Sequence, residues 1–98
     1  MYALIDGAVI LTRSDLHDAL SRQLLLPDWY GGNLDALFDC LTELDRETEL
    51  QLIHTEDLRA HLGGYADSLQ RVLRDACEEN PLLHYYCGDY PKQDPEEA

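Results

Sequence analysis

The sequence predicts an α/β fold, a small three-stranded parallel sheet packed with about four helices in the order β-α-α-β-α-α-β. Three observations predict it. Short, largely apolar runs at residues 2–5, 49–54 and 82–87 have strand length and end at turn or breaker residues. Two helical patterns separate each run from the next, and strands joined by helical crossovers pair in parallel. The 98 residues, 45% of them apolar, suffice for one domain around one core, but not for a deep enclosed cleft as well.

Each element has its own signal. Residues 2–5 (YALI) stop at Asp6-Gly7, a turn dipeptide, and residues 9–11 read as a continuation of the strand. Ser14 reads as a helix N-cap, with Asp15 and Asp18 in the first turn, where the helix dipole favours acids. Leu16, Leu20 and Leu24 form an i, i+4 stripe, and Pro27 closes the helix. His17, one turn after Arg13, reads as a residue of a surface helix. Residues 28–32 (DWYGG) form a loop, because Gly-Gly breaks regular structure. Asn33 caps a second helix that runs to about Asp45. After the strand at 49–54, Thr55 caps a short helix through Leu62, and Gly63-Gly64 interrupts it. Residues 66–79 are amphipathic, with Leu69, Val72, Leu73 and Ala76 on one face, and Asn80-Pro81 ends them. The last strand is 82–87. A single domain then spans 1–88, and 89–98, with prolines and acids, is expected to be a flexible acidic tail. The β-α-α pattern occurs twice without an internal sequence repeat.

Composition excludes several functions. A net charge of −13 argues against direct contact with nucleic acid or an anionic membrane, since both require a basic footprint. It favours a cationic partner, or simply solubility. The three cysteines are odd in number and show no CxxC spacing, and Cys40 and Cys77 fall inside apolar helical patterns. A disulfide framework is therefore not expected, and a reducing cytoplasm is. The stretch before Arg13 has no Lys or Arg for a signal peptide, and no apolar run approaches the ~20 residues of a membrane helix. His17, His54, His61 and His84 are dispersed without ligand spacing, so no metal and no cofactor are expected.

The chemistry concentrates in the second helix. At roughly 100° per residue, Leu34, Leu37, Leu41 and Leu44 share the core face. Asp35 and Asp39 lie nearly opposite, Glu43 continues their row, Thr42 stands beside it, and Phe38 occupies the margin. Like charges at i, i+4 repel by about 0.2–0.5 kcal/mol per pair. A helix selected for stability alone would interleave cations, yet there is no Lys or Arg between Gln23 and Asp45. Only Asp35, near the helix start, gains from the dipole. Such a ridge makes sense if a cationic surface offsets it on binding, although a solvated acidic face is the plain alternative. Trp29 and Tyr30 stand beside the two glycines. Trp29 reads as an interface aromatic, Tyr30 more as a cover for the core edge. The two aspartates cannot be a hydrolytic pair, because they project the same way from one helix and cannot flank a bond. No catalytic residue is assigned.

The segment LPDWYGGNLDALFDCLT resembles the signature of the barstar family of ribonuclease inhibitors, aromatic-Tyr-Gly-x-Asn-Leu-Asp-Ala-Leu-aromatic-Asp. The flanking SDLHDAL and RVLRDA are similar to family helices. Similarity is strong over 1–42, weak over 43–65 and moderate over 66–87. The resemblance implies the same small parallel sheet with helices. It also implies a 1:1 inhibitor that plugs the active site of a small basic, barnase-like ribonuclease and protects the producing cell's RNA. In that role Asp39 would enter the phosphate-binding site and meet arginines and the catalytic histidine. Asp35 would pair with a neighbouring cation, and Trp29 would pack on the catalytic histidine. Gly31 and Asn33 would shape the loop, Phe38 and Thr42 would line the edge, and Asp75 would reach the enzyme from another helix. The chain departs from the pattern in having Trp29 for a tyrosine, Phe38 for a tryptophan, Asp75 for a glutamate, and no Gly-Trp after Thr42. Without the nuclease, the same surface would serve an acidic module that neutralises a different cationic toxin or nucleic-acid-binding protein. The bland reading of Asp75 is an intrahelical pair with Arg71.

Overall fold

Strand β1 (Tyr2–Asp6) buries Ala3 and Ile5 and exposes Tyr2, as the period of two in a pleated strand requires. The computed structural model describes residues 1–88, so the expected tail at 89–98 lies outside the described residues. β1 pairs in parallel with β2 (Thr48–Ile53), which pairs in parallel with β3 (Leu83–Cys87), in the spatial order β1-β2-β3. The first crossover carries α1 (Arg13–Leu24) and α2 (Leu34–Thr42). The second carries α3 (Thr55–Leu62) and α4 (Gly64–Glu79). This is the class, strand count and element order that the hydrophobic pattern predicts.

The core follows from the same pattern. Ala3, Ile5, Leu50, Leu52 and Leu83 of the sheet meet Leu16, Leu20 and Leu24 of α1 in one buried cluster. Leu37 and Leu41 of α2 join it, as do Ala66, Leu69, Leu73 and Ala76 of α4. Each leucine so buried stabilises the fold by about 1.5–3 kcal/mol relative to exposure. Cys40 is buried, Cys77 half-buried and Cys87 exposed, and all three are free thiols.

Element ends differ from expectation where a distant group intervenes. Residues 7–9 do not extend β1 but form a 3₁₀ turn, in which the Asp6 carboxylate accepts from Ala8 N at 2.9 Å. Gly7 permits the close approach there, since a Cβ would stand 2.4 Å from the His54 carbonyl oxygen. Thr12, not Ser14, caps α1. Its hydroxyl accepts from Asp15 N at 3.0 Å, and the Asp15 carboxylate accepts from Thr12 N at 3.2 Å, a reciprocal capping box. His54 leaves β2 for the left-handed region (φ 54°) and precedes α3, so Thr55 is the first helical residue and not a side-chain cap. α2 ends at Thr42 instead of near Asp45. Asn80, buried at the end of α4, donates to the carbonyls of Leu41 at 2.9 Å and Leu44 at 3.0 Å. Those carbonyls therefore need no further helical turn.

Candidate functional site

α2 has the predicted orientation. Leu37, Cys40 and Leu41 are buried, Leu34 and Leu44 are half-buried, and Asp35 and Asp39 face solvent. Asn33 fixes the start of the helix, its side-chain oxygen accepting from Ala36 N at 2.8 Å. Asp35 lies in the first turn, where the dipole favours it. Glu43 is exposed at the C-cap and not within the helix. Among the described residues the ion pairs are Asp6 with His54, Asp67 with Arg59, and Glu47 with His84. None involves Asp35, Asp39 or Glu43. The field of this row is felt inside the helix: after burial, the charges of Glu43 and Asp39 hold the Cys40 thiol above its ordinary pKa.

The other residues of this helix and of the loop before it differ in exposure. Trp29 is 68% exposed, an unusual state for the largest apolar side chain. Phe38 is half-buried against the core, and Thr42, also half-buried, donates its hydroxyl to the Asp39 carbonyl at 3.0 Å. Of the two loop glycines, Gly32 adopts the left-handed conformation (φ 70°). Gly31 instead lies close to Asn33, where a Cβ would stand 3.4 Å from the amide nitrogen. Gly32, Asn33, Leu34 and Asp35 line an open cleft with Arg13 and Tyr65. Asp75 is exposed on α4 and lines a different cleft with Arg74, Cys77, Glu78 and Tyr85. The two clefts share no residue, so Asp75 is not brought into the Asp35 cleft, and the intrahelical pair with Arg71 is not formed.

One cluster is absent from the sequence reading. His17 is not on the surface but 6% exposed. Its Nδ1 bonds the Tyr30 hydroxyl and its Nε2 bonds the Tyr65 hydroxyl at 2.6 Å. Burial pushes the His17 pKa below its ordinary value and those of both tyrosines above theirs, so all three are neutral near pH 7. The guanidinium of Arg13 stacks on the Tyr65 ring at 4.1 Å. A local signal for His17 existed, since it lies three residues before Leu20 and seven before Leu24, on the margin of the apolar stripe. None existed for Tyr65, which is 48 residues away.

No group of three or more His, Cys, Asp or Glu among the described residues is placed to hold a metal ion. No helix among them is long and apolar enough to cross a membrane. Exposed carboxylates on a helix fixed at both ends can engage cations, and the exposed Trp29 in the loop before it can cover flat apolar surface.

Residues 1–88 match the family model described as "Barstar (barnase inhibitor)". The chain is also 44% identical over 77 residues to the Bacillus subtilis (strain 168) protein named "Putative ribonuclease inhibitor YrdF", covering 78% of this chain and 85% of that one.

Proposed function

This chain belongs to the barstar family, whose members inhibit and do not catalyse, and we propose that it blocks a small basic ribonuclease by placing α2 and the loop before it in the enzyme's active site. The observation that carries the reading is the pair Asp35 and Asp39. They are exposed one turn apart and have no ion-pair partner among the described residues. A ribonuclease must bind a polyanion, so its cleft is basic, and carboxylates on a rigid helix can occupy phosphate positions. Arginine meets carboxylates through short, charge-assisted and often bidentate hydrogen bonds.

In this arrangement Asp39 takes the central phosphate position among the enzyme's arginines and catalytic histidine, and Asp35 takes a neighbouring cation. Trp29 packs on the histidine, Phe38 and Thr42 line the edge, and Gly31 and Asn33 set the loop. Asp75 reaches the same enzyme from α4 only if the enzyme spans the distance between the two clefts. The complex is 1:1, the partner is barnase-like, and the working compartment is the cytoplasm, where the inhibitor meets the nuclease before it harms the cell's RNA.

The test is an RNA-cleavage assay with barnase as the probe. Stoichiometric inhibition is expected. Asp39→Ala is expected to weaken it by at least about 2 kcal/mol, roughly 30-fold. That magnitude comes from interface carboxylates in general, the barnase–barstar pair among them, and not from this chain. Unchanged affinity in Asp39→Ala would remove Asp39 from the site. No inhibition by the intact chain would leave a different cationic toxin or nucleic-acid-binding protein as the target.

A further inference from the structure

Tyr65 stands in the first turn of α4, far along the chain from the loop 28–32, yet the two are joined through one imidazole. Resting on the inhibitor reading, we propose that Tyr65 is a positioning residue for recognition. Through His17 it fixes Tyr30, and with it Trp29 and the turn into α2, in the conformation that the nuclease meets.

A neutral imidazole offers one donor and one acceptor, and a tyrosine hydroxyl can serve as either. The line Tyr65–His17–Tyr30 therefore closes in either sense, with both ring nitrogens and both hydroxyl oxygens bonded. The rings add to it, with His17 centred 5.7 Å from Tyr30 and 6.0 Å from Tyr65. Arg13 covers the outer face of Tyr65 from the same helix, one turn before His17. α1 thus holds Tyr65 by its hydroxyl and by its ring.

The loop needs such a tie. Tyr30 N donates to Pro27 O at 2.9 Å, a bond local to this segment. Gly31 and Gly32 are exposed and have no side chain to pack. Among the described residues the Tyr30 hydroxyl makes the side-chain hydrogen bond that ties 28–32 to another element. Trp29 is its immediate neighbour in sequence. A loop that samples several conformations weakens binding by the fraction of time it spends in the competent one.

Trp29 is the single tryptophan of the chain, so its fluorescence anisotropy in the intact protein reports the loop without any partner. Tyr65→Phe keeps the ring and removes the hydroxyl. The expected result at 25 °C, below the melting transition, is lower Trp29 anisotropy and faster amide exchange at 29–32. Inhibition of barnase, the probe, should weaken by about three- to thirty-fold, the range for a competent loop population falling to a third or a thirtieth. Tyr30→Phe should do the same, and the double variant should add little, because either loss opens the line. Should Tyr65→Phe not fold, Tyr30→Phe decides the matter alone. Ala76→Gly in the core face of α4 serves as the control: it lowers stability but is expected to leave Trp29 anisotropy unchanged. Wild-type anisotropy and exchange in Tyr65→Phe would overturn the proposal. So would a loosened loop that still inhibits barnase at full strength. If the unaltered chain does not inhibit barnase, the inhibitor reading fails, and the anisotropy still decides whether Tyr65 orders the loop.

Discussion

At position 17 the fold buries an imidazole almost completely, and this has a consequence for acid stability. In the unfolded chain His17 takes up its proton near the ordinary value of 6.5, whereas burial lowers that value in the fold. Between the two values the unfolded chain binds more protons, so stability rises with pH there. The contribution is fully present above about 6.5 and is lost as pH falls from there toward the folded value. The thermal midpoint is therefore expected to drop between pH 7.5 and pH 5, and to drop less in His17→Gln, whose side chain carries a donor and an acceptor but no such titration. Equal drops in both proteins would show that other groups govern this window. Gly7 poses a second test at this scale. Gly7→Ala would place a methyl 2.4 Å from the His54 oxygen and 2.8 Å from the Leu58 Cβ. About 1–3 kcal/mol of destabilisation is expected in urea titration, as for other overpacked sites. An unchanged midpoint would mean that the turn gives way freely.

At the scale of elements, periodicity makes the orientation of the candidate helix legible. The leucine spacing of 34–44 oriented α2 correctly, and Asn33 was readable as its cap because N-capping is local chemistry. The far end of α2 was not readable, because Asn80 terminates it from another helix. The 3₁₀ turn after β1 escaped for the same reason, since its tightness depends on His54 packing against Gly7. The apolar stripe of α1 places His17 at its margin, but the hydroxyls that partner it stand on two other segments, which no spacing rule links. Asn80 yields the prediction for this scale. Asn80→Ala removes the side-chain donor of the Leu41 and Leu44 carbonyls and the acceptor of the Leu82 N–H. A loss of about 2–4 kcal/mol is expected by denaturant unfolding, several times that of an exposed cap such as Asn33→Ala at about 1 kcal/mol. Similar losses for the two variants would deny Asn80 its special place.

Over the whole molecule, the net charge of −13 is large for 98 residues and destabilises the compact state through self-repulsion. Among the described residues no ion pair reaches Asp35, Asp39 or Glu43. Arg59 is paired with Asp67, and Arg13, stacked on Tyr65, lines the cleft with Asp35 without pairing to it. Family membership accounts for the fold, while the distribution of charge supports the role. Asp35 and Asp39 on α2 and Glu43 at its C-cap are exposed, and a basic cleft would offset their charge. The most direct test of α2 as a stand-in for RNA phosphates is competition. Barnase is titrated with the chain in the presence of increasing guanosine 3′-phosphate, and the apparent affinity is measured. The account predicts that the apparent dissociation constant rises in proportion to nucleotide occupancy and that no ternary complex forms. Binding that is indifferent to the nucleotide, with both held by the enzyme at once, would contradict it.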